Sequence, residues 1–133
     1  MNKIFKITFF TLLSFIFIHS IGTSEEEKIK IGLLVPMTGD DKDLGQSIIK
    51  STRMALQDIG NDKLEIYPKD TSSDPDQTLR SALELKNLGI KIIIGPIFFK
   101  SLSYLDNVEN VIFLSLTNKT INLPKNVVSS GVN

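Results

Sequence analysis

Residues 31–35 of this 133-residue chain read Ile-Gly-Leu-Leu-Val, and Pro36 follows them directly. A run without polar side chains is typical of a parallel strand that is covered on both faces. Pro36 ends the run, and a loop of small residues leads to an amphipathic helical pattern that begins near Gly45. Strand, loop and helix in this order form the unit of a doubly wound α/β sheet. Because ligands bind where such loops leave the strands, the segment predicts one wall of a binding site.

The segment before this strand has the composition of a secretory leader. Two lysines precede a largely apolar run over residues 7–18, and small residues follow up to Ser24. A basic start, an apolar core and a small-residue exit are the three parts of a signal peptide. We therefore predict a signal peptide over residues 1–24, with cleavage after Gly22 or Ser24. The alternative is an uncleaved anchor helix, but the run is shorter than the roughly 20 residues that a bilayer requires.

The remainder, residues 25–133, has the length of one domain. The whole chain carries 15 basic and 15 acidic side chains, and the loss of two leader lysines leaves a net charge of about −2. The chain shows no basic stripe of the kind that binds nucleic acid, so we expect no nucleic-acid partner. We expect export to the periplasm, with no stable membrane insertion after the leader is cleaved.

The residue types needed for several kinds of chemistry are missing from the mature sequence. Cysteine is absent, and the single histidine, His19, lies in the leader. The composition excludes disulfides, a thiolate nucleophile and a lipid attached through cysteine at the leader junction. It also excludes a soft metal site and a serine–histidine catalytic pair. No spacing suggests paired catalytic carboxylates. We expect a protein that is not an enzyme and that uses no metal and no cofactor.

Apolar segments alternate with helical patterns along the mature sequence. Further strands are predicted at 64–67, 90–95, 111–115 and 127–128. Helices are predicted over 45–59 and 75–89, and a short helical stretch over 101–108. Asp74 is the expected N-cap of the second helix, with Gln77 as its capping-box partner. The order predicts right-handed crossovers and a doubly wound parallel α/β sheet with helices on both faces. The most hydrophobic strand, 90–95, is expected at its centre.

Loops that leave the carboxyl ends of parallel strands converge on one edge of the sheet, which is the default ligand site in this architecture. The candidate ligand-binding residues in these loops are Thr38, Gly39, Pro96, Ile97, Ser115, Thr117 and Asn118. Gly95 permits a close backbone approach at Pro96 and Ile97, where amide groups could meet a carboxylate. The loop at Thr38 and Gly39 lacks both GxGxxG spacing and a GK[ST] ending, so nucleotide binding is not expected.

Four motifs in order resemble those of type I periplasmic solute-binding proteins, the leucine-binding-protein superfamily. The first comprises Ile-Gly-Leu-Leu-Val-Pro-Met-Thr-Gly at 31–39, Leu-Gly-Gln at 44–46 and Met-Ala-Leu at 54–56. The others are similar to the branch related to penicillin-binding-protein activators. They are Lys-Asp-Thr at 69–71, Ile-Gly-Pro-Ile-Phe at 94–98 and Phe-Leu-Ser-Leu-Thr-Asn at 113–118. The resemblance covers essentially the whole mature chain.

The resemblance implies a Rossmann-like lobe that pairs with a second lobe through a hinge and binds ligand in the cleft between them. Because the sequence stops at Asn133, near the expected fifth strand, we expect an incomplete N-terminal lobe. A fragment, a truncated gene product and a single-lobe relative are the alternatives. In the family, groups at the positions of Ser115, Thr117 and Asn118 bind the polar head group of the ligand. Thr117 and Asn118 could instead cap a turn.

Other residues allow two interpretations each. Phe98 and Phe99 stand where amino-acid binders of the family approach a serine or threonine, so amino-acid specificity remains open. Phe98 is favoured as a core or lobe-interface aromatic over a cleft residue. Asp70 could contact a ligand amine, although a structural role in the loop is favoured. Asp43 is expected to cap the first helix rather than to contribute to a Ca²⁺ site, because the calcium-loop spacing is missing.

The leading hypothesis is an exported solute-binding domain similar to the substrate-binding component of an ABC transporter. Its expected partners are a small polar ligand, such as an amino acid, and an ABC permease. One lobe alone would bind that ligand weakly or not at all. The alternative is a periplasmic regulator of cell-wall synthesis that contacts a penicillin-binding protein. A flavodoxin-like enzyme is the third and least favoured reading.

Overall fold

A single sheet of five parallel strands organises the chain, in the order β2-β1-β3-β4-β5. The computed structural model describes residues 27–131, so the predicted signal peptide lies outside the described residues. The strands are β1 (Ile29–Val35), β2 (Leu64–Asp70), β3 (Ile92–Ile94), β4 (Ile112–Ser115) and β5 (Val127–Ser129). The helices are α1 (Lys42–Ile59), α2 (Pro75–Asn87) and two 3₁₀ turns, Phe99–Leu102 and Leu105–Asn107. The predicted parallel α/β sheet is confirmed, with β3 at its centre.

The first helix begins three residues earlier than the pattern predicts. Its N-cap is Asp41, whose side chain makes no capping bond, and Asp43 lies in the first turn rather than at the cap. Gly45 is buried because α1 passes directly over the loop after β1: a Cβ at this position would overlap the Pro36 carbonyl oxygen. The prediction of Asp43 as a cap is therefore wrong. The close approach fixes the loop after β1 against the helix.

The second crossover follows the sequence signals closely. β2 continues through Pro68 to Asp70, which is possible because β2 is an edge strand that pairs only with β1. The Asp74 side chain accepts a hydrogen bond from the Gln77 amide at 2.7 Å, as expected of an N-cap. The Gln77 side chain does not reach back; its amide nitrogen donates to Ser81 Oγ at 3.3 Å. The reciprocal half of the predicted capping box is therefore wrong.

The two faces of the sheet are covered to different extents. The larger core packs α2 and both 3₁₀ turns against one face, with Phe113, Ile93 and Leu85 fully buried within it. The predicted third helix is replaced by these short turns. The smaller core lies beneath α1 and centres on Leu33 and Val35. Among residues 27–131, no helix is both long and apolar enough to cross a membrane.

Part of the α1 side of the sheet is left uncovered. Ile92 of β3 is paired with Ile112 of β4, and Val128 of β5 is paired with Leu114, so these side chains share one face. Ile92, Ile112 and Val128 are 43%, 53% and 54% exposed. Ile29, near the start of β1, is 52% exposed. We call these four residues the open face. Within residues 27–131, an apolar strip thus crosses four strands without a second layer above it.

Candidate functional site

The loops that follow the five strands lie along one edge of the sheet, here called the carboxyl edge. At the β1–β2 end of this edge, the Asp70 carboxylate ties two loops together. It accepts hydrogen bonds from the Met37 amide at 2.7 Å and the Thr38 hydroxyl at 2.6 Å. It also accepts from the Ser72 amide at 2.8 Å and the Ser72 hydroxyl at 3.0 Å. Asp70 therefore has the structural role that the sequence favours.

These hydrogen bonds determine the acidity of Asp70. Partial burial raises the pKa of this carboxyl, but the hydrogen bonds from Thr38, Met37 and Ser72 outweigh that effect and lower it from 3.8 to about 2. The Thr38 hydroxyl is committed to this network, because it also lies 2.8 Å from Ser72 Oγ. Gly39 adopts a left-handed conformation with φ of 80° and has open space around it. At this end of the edge, the hydrogen bonds to Asp70 hold the two loops together, and its carboxylate gives them a negative charge.

The loops after β3 and β4 are joined by buried contacts. Ser115 is fully buried, and its hydroxyl donates to the Pro96 carbonyl oxygen at 2.9 Å. The Leu116 amide donates to the same oxygen at 3.1 Å. Gly95 has a φ of 100°, and a Cβ there would overlap the Leu34 carbonyl oxygen, so β3 and β1 approach closely at this point. Pro96 and Ser115 thus lie inside the edge and support the loops above them.

A cavity of about 420 Å³ opens above Pro96 and Ser115. Its lining residues are Ile97, Phe98, Phe99, Leu116, Thr117, Asn118, Lys119 and Gly131. Thr117 is 5% exposed, and its hydroxyl oxygen accepts a hydrogen bond from the Lys119 amide at 3.3 Å. Its carbonyl oxygen accepts from Ser129 Oγ at 2.5 Å, which attaches this wall to β5. The cavity is therefore built from the loops after β3, β4 and β5.

The structure brings three of the seven candidate residues to this cavity, namely Ile97, Thr117 and Asn118. Pro96 and Ser115 lie beneath it, and Thr38 and Gly39 do not line it. That these seven residues contact a ligand stays a prediction.

Five lining residues are not among the seven candidates, namely Phe98, Phe99, Leu116, Lys119 and Gly131. Phe99 lines the cavity, and the Lys119 ammonium nitrogen lies 4.3 Å from the centroid of the Phe99 ring. The position of Lys119 directly after Thr117 and Asn118 was the available signal.

Other locations are less suited to a ligand of this fold. A larger cavity of about 850 Å³ lies at the opposite edge, where Ile29, Lys30 and Glu65 belong to the amino-terminal parts of their strands. Ligands of open α/β sheets bind at the carboxyl ends instead. Within residues 27–131, no group of three or more His, Cys, Asp or Glu side chains is arranged to hold a metal ion. Asp41, near the first loop, instead accepts a hydrogen bond from Ser73 Oγ at 2.6 Å.

Solved structures with a similar fold are binding proteins and regulators. A leucine-binding protein LivK from Thermotoga maritima matches with a TM-score of 0.65 and 20% identity, over 74% of this chain and 31% of that chain. The C-domain of LpoA from Haemophilus influenzae, described as a regulator of PBP1A, matches with a TM-score of 0.63 and 26% identity, over 78% of this chain and 33% of that chain. An R. palustris solute-binding protein in complex with 4-hydroxybenzoate matches with a TM-score of 0.62 and 22% identity, over 68% of this chain and 27% of that chain.

This chain spans about a third of the length of the first two of these proteins. A comparison with curated protein sequences gives no significant match. The family model described as periplasmic binding protein matches residues 28–130, which include every described strand and helix. The sequence resemblance is thereby confirmed: the chain belongs to the periplasmic binding protein family.

Proposed function

We propose that this chain is a solute-binding domain, exported to the periplasm, that binds a small polar molecule at its carboxyl edge. The observation that supports this proposal is the cavity between the loops after β3, β4 and β5, which contains Ile97, Thr117 and Asn118. In this proposal the domain acts as part of the substrate-binding component of an ABC transporter, and a permease is its membrane partner.

The construction of the cavity suits such a role. Its walls are held by the buried bond from Ser115 to Pro96 and by the bonds from β5 to Thr117, so few groups would have to be ordered on binding. Asn118 is exposed in the wall and offers an amide donor and acceptor. In contrast, the Thr38 hydroxyl is held by Asp70, and the loop after β1 does not line this cavity.

The cavity is open on one side, and we propose that a second lobe closes it in a complete binding protein. The lobe alone supplies half of the contacts. We therefore expect affinities in the millimolar range or weaker. Calorimetry and amide NMR titration of residues 25–133 with amino acids and small amides test this expectation. Micromolar binding by this chain would refute the proposal that one lobe supplies only half of the contacts. A complete lack of amide shifts at the cavity would refute the proposed solute site.

A second function is favoured by the sequence identities. The LpoA C-domain is 26% identical to this chain and full-length LpoA structures reach 28%, whereas the leucine-binding LivK is 20% identical. The corresponding proposal is a periplasmic regulator that contacts a penicillin-binding protein, with no need for a small ligand. Affinity capture from a periplasmic extract separates the two. Recovery of a penicillin-binding protein without a permease favours the regulator, and recovery of a permease favours the transport role.

A further inference from the structure

The edge opposite the carboxyl edge, here called the amino edge, holds two neighbouring lysines. Ile31 of β1 is paired with Ile92 of β3, so the residues before them, Lys30 and Lys91, lie side by side. Like charges on adjacent strands repel each other. Among the described residues, neither lysine has an ion-pair partner, and Lys30 lies against the Tyr67 ring at 5.9 Å from its centroid. The pair therefore places two uncompensated ammonium groups at one point of the edge.

The acidic residues nearby do not balance this charge. Glu65 lies beside Lys30 in the register of β1 and β2, but its carboxylate accepts a hydrogen bond from the Tyr67 hydroxyl at 2.9 Å. Lys28 and Glu27 line the same cavity of about 850 Å³ as these residues. The lining therefore contains three lysines and two glutamates, and the cavity has a net positive charge.

Exposed apolar side chains border the lysines at this edge. Ile29 precedes Lys30 in the chain and Ile92 follows Lys91, and consecutive side chains of a strand point to opposite faces of the sheet. The two lysines therefore lie on the α2 side of the edge, and the two isoleucines lie on the open face. Leu88, at the end of α2, is 49% exposed and lines the cavity with them. The amino edge thus combines ammonium groups with apolar surface.

Charge is also distributed unevenly between the two edges. The loops after β1 and β2, at the carboxyl edge, contain Asp40, Asp41 and Asp74 and no basic side chain. Residues 25–133 have a net charge of about −2, so an even distribution would cause repulsion from an anionic surface. The uneven distribution instead turns the amino edge towards such a surface.

We propose that the amino edge docks on a membrane surface that carries anionic phospholipids. The phosphate group of one lipid lies between Lys30 and Lys91, and Lys28 contacts a neighbouring headgroup. Ile92 and Leu88 enter the boundary between the headgroups and the acyl chains. This docking leaves the carboxyl edge accessible to a second lobe. The inference requires the proposed export to the periplasm, but it does not depend on a solute at the carboxyl edge.

Sedimentation with lipid vesicles tests the docking of residues 25–133, which include every described strand and helix. We expect binding to vesicles of phosphatidylglycerol and phosphatidylcholine that weakens as salt is added, and no binding to phosphatidylcholine alone. Lys30→Met and Lys91→Met should each weaken binding about fivefold, whereas Lys30→Arg should retain it. Leu88→Ser should weaken binding about fivefold through lost apolar contact. Lys42→Met makes the same charge change at the carboxyl edge and should have less than about a twofold effect.

Each contrary result overturns a stated part of the proposal. Equal binding to the two kinds of vesicle would overturn the role of anionic headgroups, and equal losses in Lys30→Met and Lys42→Met would overturn the role of the amino edge. Titration with inorganic phosphate tests a free anion: shifts at the amides of 28–30 and 91–92 without vesicle binding would overturn the lipid as the source of the phosphate. No binding to any vesicle would overturn the docking, while the solute titrations of the carboxyl edge would still decide the proposed function.

Discussion

Replacement of Asp70 by asparagine tests the network that ties the loops after β1 and β2. The substitution keeps the size of the side chain and removes its charge, so bonds from Met37, Thr38 and Ser72 are no longer charge-assisted. A pKa lowered from 3.8 to about 2 corresponds to about 2 kcal/mol of stabilisation in the ionised form. Because the carboxylate is only partly buried, solvent screening reduces this figure to about 1 kcal/mol.

The sign of the pH dependence follows from the lowered pKa. The folded state binds the Asp70 proton less readily than the unfolded chain, so the stabilisation is fully present above the unfolded pKa of 3.8. It is lost as the pH falls towards the folded value of about 2. The difference between the original protein and Asp70→Asn should therefore be about 1 kcal/mol at neutral pH and should disappear as the pH falls through about 2.

Urea unfolding at a series of pH values measures this difference, and Asp40→Asn provides the control. Asp40 lies in the same loop region as Gly39 and makes no hydrogen bond through its side chain among the described contacts, so its variant should unfold like the original protein at every pH. Two results would refute the reasoning: a stability difference for Asp70→Asn that does not change with pH, or an equal loss of stability in Asp40→Asn.

Four further substitutions test other parts of the fold. Gly95→Ala should lower the free energy of unfolding in urea by about 2 kcal/mol or more, because φ is positive and the Cβ would overlap a carbonyl oxygen. Gly39→Ala, which has a positive φ but open space, should lower it by about 1 kcal/mol. Equal losses would show that the overlap at Gly95 does not matter. Asp74→Ala should cost about 1 kcal/mol through loss of the cap on α2, and an unchanged urea midpoint would argue against that role. We expect the open face to promote self-association, because exposed apolar strips favour contacts between copies. Ile112→Lys should therefore lower the association measured by analytical ultracentrifugation and change stability by less than about 0.5 kcal/mol. Unchanged association would show that the open face is not the contact.

The parallel sheet, its central strand and the convergence of its loops on one edge could be predicted because they follow from local patterns. Consecutive apolar residues indicated buried parallel strands, and the Asp74–Pro75 pair indicated the start of α2, which the structure has at Pro75. Helix α1 began earlier than expected because Lys42 to Leu44 lack the buried periodicity that marks its later turns. Periodicity reports burial, and an exposed first turn gives no such signal.

The sequence predicted which edge of the sheet carries the candidate site, but it did not predict which side chains line the cavity. Ser115 was selected because it follows β4, yet its side chain faces the core, on the same side as Phe113 two residues earlier. Because side chains alternate between the two faces along a strand, this orientation of Ser115 could have been predicted from the sequence. For Lys119 the signal was its position directly after Thr117 and Asn118, but its place beside Phe99 depends on how two loops from different strands meet. Long-range contacts of this kind do not appear in a local pattern.

The open face has a consequence for the order in which parts of the sheet come apart. β1 lies between two covering layers, whereas β4 and β5 are short strands with one layer, so β4 and β5 form the part with the lower free energy of local opening. The cavity is built on the loops that leave these strands. A bound molecule would therefore stabilise the weaker half of the sheet by mass action. In that case recognition and local folding would be coupled at this edge, and slower amide exchange in β4 and β5 would be the sign of occupancy.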